Sequence, residues 1–366
     1  MSLTRKAVNK LCGQPVLLAP GSRQSRIPIA IGYLADTNVR YEGGRDDIMR
    51  TVSLLPAATE IVGALGMMDH LLGVSHACNY PESARDKPRV TACEIAGNRL
   101  PSREIDKWVQ QRLARGEPLF TLDESKLRAL RPELILTQNI CHVCAMDYGS
   151  VLALTQTLPG PPRVLSLEPT TLADIVQNIQ MIADAMGVPA AGVQLNQRLR
   201  ERIAHVQDKA ATTTTRPRVA VIEWLDPVIC CGHWIPELVE IAGGQEILGL
   251  KGQDSIRKTW FDVAQAVPDV LVLSCCGQPA ARVLQDWEPL MGRPEIQALA
   301  PVRTGQVYVV DGNAYFSRHG PRVVDTLEIL AEIIHPEIFT GEFPARGVQR
   351  LRGEKPLPKH EQVRYA

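Results

Sequence analysis

No apolar run in this chain approaches the roughly 18 residues that a membrane-spanning helix requires, so nothing in the sequence is expected to cross a bilayer. Neither sign of charge is in excess. The 40 Lys and Arg residues balance the 40 Asp and Glu residues, and without a long run of one sign the electrostatic footprint of a nucleic-acid or anionic-lipid binder is missing. A glycine-rich phosphate loop, a GxSxG elbow and an HExxH pair are also lacking, which removes the usual signatures of nucleotide-dependent enzymes and common hydrolases. A small-molecule partner is the default that remains.

At 366 residues and 45% hydrophobic content, the chain can bury a substantial core and has the length of two ordinary domains. Two stretches read as one unit written twice. Thr51 to Leu55, a helix closing at Gly66 and the later run Leu134 to Thr137 form the first copy. Val219 to Glu223, a helix closing at Gly243 and Gly244, and Val270 to Ser274 form the second. Each pairs short β-rich runs with a helical pattern stopped by glycine. The predicted fold is α/β: two similar lobes with open, mostly parallel sheets joined by a long rigid helix, with a ligand cleft between the lobes where the loops at the carboxyl ends of the strands meet.

The predicted boundaries are an N-terminal extension over 1–49, an N-terminal lobe over 50–167, a helical linker over 168–215, a C-terminal lobe over 216–336 and a tail over 337–366. In the linker, Thr171 and Asp174 form a capping-box-like start, and Leu172, Ile175, Ile179, Ile182 and Met186 recur at helical spacing until Gly187 and Pro189. A second helix is predicted over 190–211. The tail, rich in glycine, proline and charge, is expected to extend away from the core. The first 49 residues are Arg-rich before their first acid, Asp36. They match a secretory signal poorly and a transit peptide somewhat better, and a disordered extension ahead of a start at Met49 is the competing expectation.

Nine cysteines are an odd number, and Cys141 with Cys144, Cys230 with Cys231, and Cys275 with Cys276 are not spaced like a secreted disulfide framework. Paired thiols of this kind read as metal or redox chemistry in a reducing compartment, so the expected localisation is cytoplasmic.

With the strands assigned, the cleft is predicted to receive His76, Cys78, Tyr80, Cys141, His142 and Cys144 from one lobe. The other supplies Trp224, Cys230, Cys231, His233, Trp234, Cys276, Asn313, Tyr315, Phe316 and Arg318. Imidazole and thiolate suit a transition metal, aromatic faces suit a flat conjugated ligand, and an arginine beside an asparagine suits carboxylate or amide groups on its rim. Cys141, Cys144, Cys276 and His233 are the candidate metal ligands, with zinc or iron as the metal. Each element also has a structural reading: inert buried thiols, histidines that serve local hydrogen bonds, and Trp224 and Trp234 packed into the lobe. Glu60 and Glu237 occupy equivalent helix starts, where the helix dipole alone accounts for a carboxylate.

Five segments carry a family resemblance: Arg50 to Gly66 (RTVSLLPAATEIVGALG), Gly73 to Pro81 (GVSHACNYP), Leu130 to Gln138 (LRPELILTQ), Gly232 to Val239 (GHWIPELV) and Asp311 to Arg318 (DGNAYFSR). Over about residues 50–336 the chain resembles the cobalamin and iron-siderophore binding family, the substrate-binding components of ABC importers, and within it the cobalamin-binding subgroup. The resemblance implies reversible binding of cobalamin or another corrinoid between the lobes, with aromatic residues against the macrocycle, polar residues on its amide arms and no catalysis. It implies docking of an acid from each lobe, Glu60 and Glu237, onto an ABC permease. His76 or His233 would supply an axial nitrogen to cobalt. The sequence reading is thus a soluble, cytoplasmic, monomeric carrier of a corrinoid or related metal chelate. The alternatives are an exported importer component, and a metalloenzyme or redox protein built on the Cys and His cluster.

Overall fold

The computed structural model describes residues 49–95, 100–139, 148–343 and 346–351. The chain opens with β1 (Thr51–Ser53), α1 (Pro56–Ala64) and β2 (Leu71–Val74). An excursion follows between two short strands: β3 (Thr91–Ala92), α2 (Ser102–Ala114) and β4 (Thr121–Leu122). Then come α3 (Glu124–Leu130), β5 (Leu134–Thr137), α4 (Tyr148–Thr155) and β6 (Arg163–Ser166). Strands β2, β1, β5 and β6 line up in that order as a wholly parallel sheet. All four residues of β5 are buried, as a strand covered by helices on both faces requires.

Two helices connect the lobes, α5 (Leu172–Ala185) and α6 (Pro189–Ala210). The predicted capping box at α5 forms: the Asp174 backbone N–H donates to Thr171 Oγ1 at 3.3 Å, and the Thr171 N–H donates to Asp174 Oδ2 at 2.8 Å. Gly187, at φ +76°, supplies the left-handed turn that ends α5. The connector is therefore a hairpin rather than one long helix. Asn196 Nδ2 reaches back to the Val176 carbonyl at 3.0 Å, and the Gly192 backbone lies so close to Ala183 that an added Cβ would clash at 2.6 Å.

The second lobe begins with β7 (Arg218–Leu225), β8 (Val228–Cys230), α7 (Ile235–Ile241), β9 (Gln245–Glu246), β10 (Ile256–Lys258), α8 (Trp260–Gln265) and β11 (Val270–Leu273). It continues through α9 (Ala280–Trp287), α10 (Pro294–Gln297), α11 (Ala300–Thr304), β12 (Val307–Val309), α12 (Val323–Ile334), α13 (Pro336–Phe339) and β13 (Gln349–Leu351). Its sheet runs β10-β8-β7-β11-β12-β13, with β9 beside the start of β7. Strands β7, β11 and β12 are parallel, while β8, β10 and β13 add on antiparallel.

Two expectations are corrected here. The loop expected from Trp224 to Trp234, after the strand ending at Glu223, is not one loop: Trp224 lies in β7, which turns back into β8. Nor does the tail leave the core where predicted. Phe339 is fully buried, β13 covers the sheet edge, and Arg346 joins Arg202 on the carboxylates of Asp325 and Glu328.

One apolar cluster runs through both lobes. It joins Ala57, Ile61 and Val62 of α1 to Ile175, Ile179 and Ile182 of α5, Leu195 and Leu199 of α6, Leu238 and Val239 of α7, and Leu327 and Leu330 of α12. Burying each Val, Leu or Ile side chain among them stabilises the fold by about 1.5–3 kcal/mol. The lobes are thus welded along this side by a shared core.

Candidate functional site

The loops leaving the carboxyl ends of β1, β2, β11 and β12 converge between the lobes. On the N-terminal side, Arg89 Nη1 pins the loop after β2 by donating to the Ser75 carbonyl at 3.1 Å and the Cys78 carbonyl at 2.6 Å. His76 is half-buried, with Nδ1 2.8 Å from Thr91 Oγ1 and its ring 5.4 Å from Phe120. Burial, aided by the Arg89 charge, lowers its pKa and keeps the imidazole neutral at pH 7. Cys78 is fully buried, its Sγ 3.1 Å from Thr59 Oγ1 and 3.2 Å from Ser75 Oγ, and burial pushes this thiol up. Tyr80 is 40% exposed at the end of the same loop.

The C-terminal lobe answers with the segment after β12. Asp311 Oδ1 accepts the N–H groups of Asn313 and Ala314 at 2.8 and 2.9 Å, which fixes the turn. Arg318 folds back on Asn313, donating from Nε to its carbonyl at 2.6 Å and from Nη2 to its Oδ1 at 2.7 Å. Arg322 crosses to the other lobe. It forms a bidentate pair with Glu60, at 2.6 and 2.9 Å, and its guanidinium lies 4.1 Å from the centre of the Tyr80 ring and 5.6 Å from that of Tyr315. Tyr80 and Tyr315, predicted cleft aromatics from opposite lobes, are therefore brought together by an arginine that the sequence reading did not single out.

The far side of the cleft is closed by α2. Trp224 Nε1 donates to the Ser102 carbonyl at 3.1 Å, Ser102 Oγ bonds Asp286, and Arg282 Nη2 donates to the Leu100 carbonyl at 2.6 Å. Arg103 pairs with Asp226 at 3.1 Å and Arg257 with Asp106 at 2.6 Å. This excursion from the N-terminal lobe lies against the C-terminal lobe across the mouth. The sequence reading placed no helix here, although Ile105, Trp108 and Val109 after Pro101 stand at helical spacing.

Several predicted residues stand elsewhere. Trp234 is 7% exposed and Phe316 2% exposed. The Trp234 indole donates to the Phe316 carbonyl at 3.2 Å, and its ring lies 5.6 Å from His319. Both aromatics belong to the core beneath the cleft. His233, at φ +54°, sits 3.4 Å from Asp254 Oδ1, and burial lowers its pKa. His319, unremarked in the sequence, is buried with Nε2 unpaired; burial, with the Arg318 charge, drives its pKa down to about 3.

Glu60 is 2% exposed, beyond the first turn of α1, and its carboxylate is committed to Arg322. Glu237 caps α5 by accepting the Leu172 N–H at 2.9 Å and pairs with Lys251 at 2.8 Å. Both predicted docking acids thus tie parts of this chain to one another. Among the described residues no three His, Cys, Asp or Glu side chains gather as a metal set, and Cys276 and His233 do not join one. Cys141, His142 and Cys144 lie outside the described residues.

Among known proteins, residues 52–314 match the family model described as periplasmic binding protein. A vitamin B12-binding protein of Photorhabdus laumondii is 24% identical over 286 residues, covering 78% of this chain and 87% of its own. An uncharacterised ABC transporter substrate-binding lipoprotein of Bacillus subtilis is 23% identical over 337 residues, covering 90% and 93%. Two solved structures share the fold: a periplasmic heme-binding protein from Pseudomonas aeruginosa (TM-score 0.64, 18% identity, 84% of this chain and 99% of that one) and the periplasmic vitamin B12-binding protein of Vibrio cholerae (TM-score 0.58, 20% identity, 79% and 97%).

These matches overturn the cytoplasmic assignment, because the relatives are periplasmic proteins and a lipoprotein. The thiols misled for a physical reason. Cys78, Cys230, Cys231 and Cys275 are at most 2% exposed, so they act as small apolar core side chains and carry no information about redox compartment. Among the described residues no helix is long and apolar enough to cross a membrane.

Proposed function

The chain belongs to the periplasmic binding protein family, substrate-binding carriers rather than enzymes, and on that premise we propose that it holds a corrinoid or a related tetrapyrrole chelate between its lobes for delivery to an ABC permease. The observation that carries the reading is the meeting of Tyr80 and Tyr315 around Arg322, beyond the carboxyl ends of the parallel strands of the two lobes. Aromatic faces with a polar rim suit a flat macrocycle. His76, Asn313 and Arg318 flank the same region, Cys78 lies beneath it in the core, and Trp224 stands at the mouth. The printed names of the relatives, vitamin B12-binding and heme-binding, support this ligand class.

The neutral imidazole of His76 is the axial nitrogen of choice for a metal centre held here. Permease docking falls to surfaces other than the Glu60 carboxylate, which is enclosed between the lobes.

The test is a visible-absorbance titration of purified protein with aquocobalamin and, separately, haemin. Saturation at one equivalent with shifted ring bands is expected for at least one of them, and His76→Ala should remove the shift attributable to a nitrogen ligand. Absence of any shift and of any co-eluting ligand on gel filtration would refute the reading.

A further inference from the structure

On the cleft floor, among the described residues, the guanidinium groups of Arg318 and Arg322 stand near the carboxylate of Glu60. Arg322 takes the carboxylate, engaging both oxygens of Glu60. Arg318 is 6% exposed, and both of its hydrogen-bond acceptors belong to Asn313, a neutral residue. No carboxylate oxygen of the described residues lies within ion-pairing distance of it.

The surroundings do not supply the missing negative charge. Asp311 is turned to the backbone of Asn313 and Ala314. Burial pushes the Cys78 thiol up, and His319 is neutral. Glu223, beside Cys276, is raised by burial to about 8 and is therefore protonated at neutral pH. Burial and the nearby Arg322 weaken the hold of Arg318 on its own proton, and the field of Glu60 offsets this only in part. Among the described residues one buried positive charge is left over, and an unpaired buried charge is among the costliest features a fold can retain.

We propose that Arg318 receives a carboxylate of the ligand, so that the chelate held between the lobes carries a free acid on the arm that reaches the floor. A carboxylate supplies both hydrogen-bond acceptors and the missing charge, and two parallel charge-assisted bonds suit it to a guanidinium. An amide arm supplies the acceptor alone. Arg318 has five N–H donors in total, and Asn313 engages donors on only two of its three nitrogens. The inference rests on the cleft reading above and narrows its substrate class from metal macrocycles in general to those with an acidic arm.

Two matched pairs of probes test it, each keeping one ring and changing only the arms: cobyrinic acid against cobinamide, and haemin against its dimethyl ester. The acid of at least one pair should bind ten-fold or more tightly than its neutral partner. Arg318→Gln should erase that ratio, and Arg318→Lys, which keeps the charge, should retain most of it, with circular dichroism verifying that each variant is folded. If the Gln variant does not fold, the Lys variant and the wild-type ratio still decide the matter. Equal binding of acid and neutral forms, or a ratio that survives in the folded Gln variant, would overturn the inference while leaving the cleft reading intact. Failure of all four probes to bind would overturn both.

Discussion

All four strands of the N-terminal sheet run parallel, whereas the C-terminal lobe flanks its three parallel strands with antiparallel ones on both edges. The shared part, parallel strands with loops at their carboxyl ends, carries the candidate site in each lobe. The unshared parts meet each other. The N-terminal lobe sends out α2 between β3 and β4, and the C-terminal lobe receives it on Asp226 at the β7–β8 turn, Arg257 of β10 and Arg282 of α9. What the two lobes have in common carries the candidate site, and what differs between them meets along its far side.

The two acids that look equivalent in sequence separate in the same way. Glu60 is enclosed and paired with a cation from the opposite lobe, while Glu237 is partly exposed and caps the linker. Removing Glu60 strands Arg322 as a buried charge, so Glu60→Ala should cost about 3–5 kcal/mol. Glu237→Ala loses a cap and a surface pair and should cost about 1 kcal/mol. Urea denaturation of both variants checks this, and similar losses would erase the distinction.

The aromatics offer a second contrast. Trp234→Ala should cost about 3–5 kcal/mol, as expected for a large side chain deleted from a core, and should lower the thermal midpoint of the ligand-free protein. Tyr80→Ala, at an exposed position, should leave that midpoint nearly unchanged and weaken ligand binding ten-fold or more. An unchanged midpoint for Trp234→Ala would return that residue to the cleft.

Acid sensitivity should trace to the C-terminal lobe. His319 has a folded-state pKa of about 3 against an ordinary 6.5, so below pH 6.5 the unfolded chain takes up a proton that the folded chain refuses. Stability is then lost as pH falls through that window. The loss between pH 6.5 and 5 is about 2 kcal/mol from this group, and His319→Gln should flatten it. A stability profile unaltered by that substitution would remove His319 from the account.

The smallest effect belongs to the mouth. Arg103→Ala with Arg257→Ala should change stability by less than about 1 kcal/mol, because the Arg side chains of both pairs are exposed. The same double variant should speed ligand association and release, and stopped-flow measurements at low and high salt would reveal it. Rates that match wild type would mean that α2 does not limit access.

Much of this was legible in the sequence. The sequence placed α5 and α6, and the β-rich runs placed β1, β5, β7 and β11 to within a residue or two. The β7–β8 hairpin was hidden because Trp224 to Trp234 looks like a loop unless the antiparallel partner β10 is known. Pattern could place Glu60 near a helix start and Trp234 and Phe316 after strands but could not tell which way each side chain would turn; the depth of their burial depends on the opposite lobe. Arg322 and His319 were missed because their neighbours, Glu60 and Trp234, are distant in sequence.

The most direct test of the account is amide hydrogen exchange on the protein with and without saturating ligand, using whichever of aquocobalamin or haemin binds. Binding between the lobes predicts simultaneous protection of residues 75–81 in the N-terminal lobe and 311–322 in the C-terminal lobe. Protection confined to one lobe, or to neither segment, would contradict it.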